Sequence, residues 1–248
     1  MTKQLTPREI AAGWEPQVPG RRAARDISDA LVEPDWGGMR VVAALTVDDV
    51  AVFANGEEIP VPEELAEALR DAFRALEAVV EGNLTTKALE TGEGVMPARP
   101  EAVRPSLVIP RGLRRSLRED PYLRAHEHTK EALAARPAVL EALEEGERHA
   151  VVATDLLWLD GQPLVDIPLL ERKRVLETVF LEGELVRVTA FVQASALATL
   201  VTWGVLGFHD LSYRAANSRY LPGRQNPDWA VVTPPRPSGS VVAPSTPR

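Results

Sequence analysis

The chemistry open to this chain is limited first by its amines. Among 28 basic residues, lysine occurs only at Lys3, Lys87, Lys130 and Lys173, so covalent attack by a lysine has four possible sources. Such an amine becomes nucleophilic where a desolvated or cationic setting lowers its pKa. Cysteine is absent, which excludes disulfides, thiolate nucleophiles and zinc ribbons. Arg214, Arg219 and Arg224 recur at intervals of five in a block, 209–229, whose only acids are Asp210 and Asp228. A stretch of that kind could hold phosphates or, equally, pair with surface acids. His126, Glu127 and His128 with His149 suggest a metal site, but histidines at i and i+2 on a helix point apart, and no metal site is expected. Arg111, Arg114, Arg115 and Arg118 read as a solvated helix face, because Glu119 and Asp120 follow directly. Gly92-Glu93-Gly94 lacks the strand-to-helix context and the following Lys-Ser/Thr of a phosphate loop.

Three other segments carry a family resemblance. Glu33-Pro34-Asp35-Trp36-Gly37-Gly38-Met39-Arg40 resembles the first motif of ATP-dependent DNA ligases, in which glutamate-proline precedes lysine, an aromatic, aspartate, glycine, any residue and arginine. Asp155 to Leu164, continued by Asp166-Ile167-Pro168-Leu169-Leu170-Glu171-Arg172, is similar to the strand, turn and helix start in the middle of bacterial ligase adenylation domains. Ser218 to Trp229 resembles the segment joining that family's fourth and fifth motifs. The matches keep the family's order and span roughly residues 28 to 233.

The resemblance implies a set of chemical roles, and most of their residues are replaced. The family's lysine attacks the α-phosphate of ATP and carries AMP as a phosphoramidate; here Asp35 stands in its place, and Gly37 replaces the motif's aspartate. A carboxylate at about 4 Å from one phosphate charge costs roughly 1 kcal/mol in water and about 4 kcal/mol at intermediate dielectric, so Asp35 is expected to repel ATP as well as fail to attack it. In the third motif, Glu81-Gly82-Asn83 puts Asn83 at the glutamate. Counting back from Tyr220 puts His209 at the fourth motif's glutamate, Asp210 at its glycine and Arg214 at its lysine. Hard oxygen ligands suit Mg²⁺, whereas an imidazole does not, and two carboxylate positions are lost at once. A shifted alignment would offer Glu77 or Glu184 instead. Thr154 replaces the aromatic that stacks on adenine, and Val231 and Thr233 replace two lysines that contact the triphosphate, removing charge that would neutralise departing pyrophosphate. Arg40 keeps the position of the arginine that approaches the ribose and DNA end.

Composition frames these sites. The 248 residues are 45% apolar and 26% charged, enough for one large domain with a sizeable core. A net charge of −8 argues against a dedicated basic nucleic-acid binder but leaves room for a local basic face. No run reaches the roughly 18 apolar residues of a membrane span, and the N-terminus lacks the apolar core of a signal peptide, so a cytoplasmic location is expected.

The elements that must position the motifs follow from pattern. Residues 1–27 are polar, with Arg21, Arg22 and Arg25 clustered, and read as a mobile or loosely docked arm. Met39 to Leu45 predicts a buried strand, with a turn at Asp48-Asp49 before Val50 to Phe53 and another at Asn55-Gly56. Apolar residues from Pro62 to Val80 recur at helical spacing. Residues 84–120 read as long loops, and a weaker helical pattern covers about 128–145. Ala150 to Leu159 predicts a strand, Leu169 to Phe180 a helix, Leu185 to Phe191 a strand and residues 195–206 a helix. From 234 to 248 proline and serine favour an extended tail. About fifteen residues are too few for a five-stranded barrel, so no OB-fold domain is expected.

The fold expected is α+β: a ligase-type nucleotidyltransferase (ATP-grasp-like adenylation) domain over 28–233, with antiparallel sheets flanked by helices around a cleft lined by Met39–Leu45 and Ala150–Leu159. The function expected is a catalytically inactive ligase-like protein, a binding or accessory module in DNA repair or processing. Its partner would be DNA or a repair protein, contacted through Arg40, Arg214, Arg219 and Arg224, with Arg40, Thr154 and Arg214 at the nucleotide position. ATP and Mg²⁺, implied by the family, are expected to be lost. Two alternatives stand beside it: an active nucleotidyltransferase whose relocated nucleophile is Lys87, and a structural or assembly protein that reuses the shape.

Overall fold

A computed structural model of the chain describes residues 6–90, 136–208 and 210–233. His209, His126, His128, the Arg111–Arg118 cluster, Gly92-Glu93-Gly94 and the 234–248 tail lie outside the described residues. In chain order the elements are α1 (Pro7–Gly13), β1 (Val18–Pro19), β2 (Ala30–Pro34), β3 (Met39–Thr46), β4 (Val50–Ala54), β5 (Glu57–Ile59), α2 (Glu63–Ala72), β6 (Glu77–Thr85) and α3 (Lys87–Glu90). They continue with β7 (Ala150–Leu159), β8 (Gln162–Pro163), α4 (Leu169–Val179), β9 (Val186–Val188), β10 (Val192–Gln193), α5 (Leu197–Val205), β11 (Leu211–Ala215), β12 (Gln225–Asn226) and β13 (Trp229–Val232).

The larger sheet runs β5-β4-β3-β6-β7-β8, antiparallel, with β9 added parallel to β7. β3 is apolar along its length because both of its faces are covered. Val41, Ala43 and Leu45 enter a core shared with Leu65 and Leu69 of α2 and Leu176 of α4, while Val42 and Ala44 meet Ile10 and Ala11 of α1. Asn55 and Gly56, at φ 51° and 78°, make the tight β4–β5 turn that their residue types predict. The second sheet runs β10-β2-β11-β13, also antiparallel, and packs through Val32, Tyr213 and Ala230 onto Ala150 and Val152 of β7 and Trp203 of α5. β2 thus ends at Pro34 in one sheet and β3 begins at Met39 in the other, and the loop 35–38 spans the junction.

Three sequence expectations change. The helix expected over 62–80 stops at Ala72, where the Phe73 amide bonds Arg70 O, and Glu77–Thr85 is a strand. Val80 faces one core and Val79 the other, a period of two, while Leu76, counted as helical, is 71% exposed. The arm at 1–27 contains a docked helix: Thr6 and Glu9 form a capping box, and Ile10 and Ala11 are buried on the sheet. The strand expected over 185–191 shortens to Val186–Val188. Strand 150–159, helix 169–180 and helix 195–206 appear within one or two residues of their expected ends, and residues 136–144 are helical.

Candidate functional site

The loop at the sheet junction is held by the residues that break the nucleophile motif. Asp35 Oδ1 accepts from the Gly37 amide at 2.9 Å, the carboxylate turn that aspartate forms readily. Gly37 and Gly38 sit at φ 63° and 71°. At Gly38 a β-carbon would lie 2.3 Å from Leu84 O, so the backbone passes β6 at a distance that no other residue permits. Asn83 Nδ2 donates to Gly37 O at 3.0 Å, and Thr85 Oγ1 donates to Trp36 O at 3.2 Å. Trp36 is buried, its Nε1 donating to Thr189 Oγ1 at 2.9 Å. Gly37 thus bonds both Asp35 and Asn83.

Behind this loop lies a buried network of ions that ties the two sheets together. Asp155 on β7 is fully buried and accepts a fork from Arg172 of α4, Nε to Oδ1 at 2.8 Å and Nη2 to Oδ2 at 2.9 Å. Arg214 on β11 donates to the same Oδ2 at 2.8 Å, and its other terminal nitrogen lies 3.7 Å from Glu33 on β2. Glu33 faces Lys173 Nζ at 2.8 Å, and that amine also donates to Thr154 O at 2.5 Å. Arg40 pairs with Glu81 and donates to Gln17 O at 2.6 Å. Burial by itself would raise the Asp155 pKa; the charge and hydrogen bonds of Arg172, then Arg214 and Lys173, outweigh it and hold the carboxyl down at about 2. Burial lowers the Arg214 guanidinium, but Glu33, Asp155 and Glu81 more than offset it, so its pKa is raised. Removing one partner of such a network leaves an uncompensated buried charge, at a cost of about 3–5 kcal/mol.

The two described lysines are both committed. Burial pushes the Lys173 amine below its ordinary value, Glu33 and Asp155 acting against it. Lys87 is the amine that the sequence offers as a relocated nucleophile, and the fold does bring it near Asp35. Its Nζ donates to Gly207 O at 2.7 Å and lies 4.2 Å from the Phe208 ring centre. Burial lowers its pKa, and the charges of Asp35, Glu90 and Asp210 raise it.

Between loop and network is a cavity of about 40 Å³, lined among others by Glu33, Asp35, Arg40, Asn83, Thr154 and Arg214, with neither lysine in its wall. That volume holds a few waters, at roughly 10–15 Å³ each. Small-molecule sites are typically about 300–1,000 Å³. Trp229 fills the remaining space, with the guanidinium carbons of Arg40 and Arg214 at 5.0 and 5.2 Å from its ring centre. Its Nε1 donates to Ser212 Oγ, and Thr233 Oγ1 donates to Asp210 Oδ1. Thr154 Oγ1 donates to Glu81 O at 3.2 Å. Of the carboxylates facing the cavity, Glu33 and Glu81 face protein cations, and Asp35 turns back on its own loop. Among the described residues, no cluster of three or more histidine and carboxylate side chains is placed to hold a metal ion.

The fold brings together Asp35, Gly37, Asn83, Arg40, Thr154 and Arg214. It separates Arg219 and Arg224 from them, both being exposed, with Arg219 Nη1 3.3 Å from Asp166 Oδ1. Arg214 is 4% exposed and engaged by two acids, so its charge is used inside the protein. Sequence reasoning did not single out the charges of Arg172 and Lys173 or those of Glu33 and Glu81. A signal was present for the first two: Leu169, Arg172, Lys173 and Leu176 have the i, i+3, i+4, i+7 spacing of one buried helix face, so both cations lie in the apolar stripe.

No protein-family profile matches the chain. The chain is similar to DNA ligases of Thermococcus onnurineus (strain NA1), 24% identical over 216 residues, and Thermococcus fumicolans, 26% identical over 215 residues. These alignments cover 84% and 83% of the chain but only 32% of each relative, so it spans about a third of their length. Its fold is similar to the ligase domain of M. tuberculosis LigD (TM-score 0.53, 18% identity) and to a mycobacterial DNA ligase D complexed with ATP and MES (TM-score 0.52, 17% identity). Each likeness covers 88% of this chain, and 58% and 59% of the respective neighbour. The α+β architecture is that of a ligase nucleotidyltransferase domain.

Proposed function

We propose that this chain, which is similar to DNA ligases over most of its length and has the fold of a ligase nucleotidyltransferase domain, acts as a catalytically inactive binding or accessory module in DNA repair or processing. The observation that carries this reading is the way the loop 35–38 is tied down: at three positions where the family places reactive groups, Gly37 donates its amide to Asp35 and accepts at its carbonyl from Asn83. Chemistry by lysine would need an amine at the cavity. Lys173 is buried between Glu33 and Thr154 O, and Lys87 is bound to Gly207 O. The small cavity and the paired carboxylates support a reading in which ATP and Mg²⁺ are not bound.

Binding is the activity that remains. DNA is the ligand, reached at the exposed surface that carries Arg219 and Arg224 rather than by buried Arg214. A cytoplasmic location belongs to the same reading; among the described residues no helix is long and apolar enough to cross a membrane.

The test is thermal unfolding of the chain with and without ATP or AMP and Mg²⁺, alongside a gel shift with nicked and single-stranded DNA at low salt. A specific ligand of the native state raises its stability by RT ln(1 + [L]/Kd). The expected result is no rise with nucleotide and a salt-sensitive shift with DNA. A nucleotide-induced rise would favour the active-enzyme alternative, and an absent DNA shift the purely structural one.

A further inference from the structure

Two arginine-bearing stretches of this chain are bordered by Glu15, Asp26 and Asp228. Residues 16–25 and 217–227 contain Arg21, Arg22, Arg25, Arg219 and Arg224 and no acid. Subtracting their +5 from the total of −8 leaves −13 for the rest of the sequence. The fold lays these two stretches side by side. β1 pairs parallel with β12, Val18 opposite Gln225 and Pro19 opposite Asn226. The Val18 amide bonds Arg224 O at 3.0 Å, and the Gly20 amide bonds Trp229 O at 2.8 Å. At Gly20 a β-carbon would lie 2.4 Å from Asn226 O, so only glycine lets the arm approach that backbone so closely. Gln17 fixes the junction further, its side-chain oxygen accepting from Asn226 Nδ2 at 2.8 Å and from the Leu221 amide at 3.2 Å.

We propose that the arm and the β11–β13 connection together form one binding surface for the phosphodiester backbone of nucleic acid, with Arg21, Arg25 and Arg224 touching its phosphates. This rests on the DNA-binding reading above and locates it. All five arginines are exposed. Arg22 lies 2.7 Å from Asp228, Arg219 3.3 Å from Asp166 and Arg25 3.6 Å from its neighbour Asp26, exposed pairs that a phosphate can replace. No exposed large apolar side chain lies in either stretch, so the surface lacks a stacking platform for bases. Phosphate recognition without base recognition gives binding that is insensitive to sequence and steeply dependent on salt. The surface adjoins the cavity, because Arg40 holds Gln17 O and Trp229 follows β12 by three residues.

The experiment measures binding of the full chain to fluorescent duplex and single-stranded oligonucleotides of two unrelated sequences from 25 to 200 mM salt. The variants are Arg21→Ala/Arg25→Ala/Arg224→Ala and, as a control outside the patch, Arg174→Ala, whose partner is Glu171. The triple variant should bind at least about tenfold more weakly at low salt, and its log K against log [salt] slope on duplex should become shallower by about 0.9 for each phosphate no longer neutralised. The control should match the wild type, and both variants should melt with the wild type, since the altered side chains are exposed. Wild-type binding that survives the triple substitution overturns this surface while leaving the DNA-binding reading intact. Absence of wild-type binding at 25 mM salt overturns both. Equal displacement by polyglutamate would assign the patch to an acidic protein and contradict the nucleic-acid assignment.

Discussion

Asn83 Nδ2 donates to Gly37 O across 3.0 Å, joining strand β6 to the loop 35–38 between the two sheets. A glutamate at position 83 has no donor for that carbonyl, and a lysine at position 35 has no acceptor for the Gly37 amide. Asp35 and Asn83 thus hold the two polar backbone groups of Gly37, its amide and its carbonyl, which fixes the shape of the loop.

Substitution at 83 should therefore be felt in stability. Asn83→Glu removes the bond and brings a second carboxylate towards Asp35; Asn83→Ala removes the bond alone. Each should cost about 1 kcal/mol, with Glu the larger loss, read as a fall in urea midpoint at constant m.

Gly38→Ala tests the close approach itself. With φ at 71° and a β-carbon 2.3 Å from Leu84 O, the substitution combines backbone strain with a clash against backbone. Unfolding should show a loss of about 2 kcal/mol or more, whereas Gly183→Ala, which meets nothing within 4 Å, should be near neutral.

Asp155 sets the acid limit of the fold. Its native pKa of about 2 lies below the ordinary value of 3.8, so its contribution is full above about pH 4 and is lost as pH falls from there towards 2. The loss amounts to roughly 2 kcal/mol. Asp155→Asn should destabilise by about 3–5 kcal/mol at neutral pH, because Arg172 and Arg214 lose their shared acceptor, and should flatten the acid limb of stability against pH.

The alkaline limb belongs to tyrosine. Burial raises the Tyr213 hydroxyl to about 12, so the unfolded chain releases its proton first, and stability falls between about pH 10 and 12. Tyr213→Phe should move the alkaline unfolding midpoint upward; an unchanged midpoint would remove Tyr213 from the account.

Local pattern made much of this fold legible. β3, β7 and α4 announce themselves because their spacing depends on their own residues, and Asn55-Gly56 because only a few residue types accept two positive φ angles in a row. Val79 and Val80 misled because a strand covered on both faces loses its alternation, and the preceding α2 lent its period to them. The arm was misjudged because Ile10 and Ala11 are only two apolar residues, yet a capping box and a waiting sheet face suffice to dock them. Arg214 was legible as a cation at a motif position but not as a buried one. Its burial depends on Glu33 and Asp155, distant in sequence and brought to it from different sheets. Long-range charge pairing of that kind leaves no periodic trace.

The most direct test incubates the purified chain with α-labelled ATP and Mg²⁺, followed by intact mass and peptide mapping, for wild type, Lys87→Ala and Asp35→Lys. The account predicts no AMP adduct on any of the three, because restoring one amine restores neither the lost carboxylates nor the space. A lysine-linked AMP on the wild type that disappears in Lys87→Ala would contradict it.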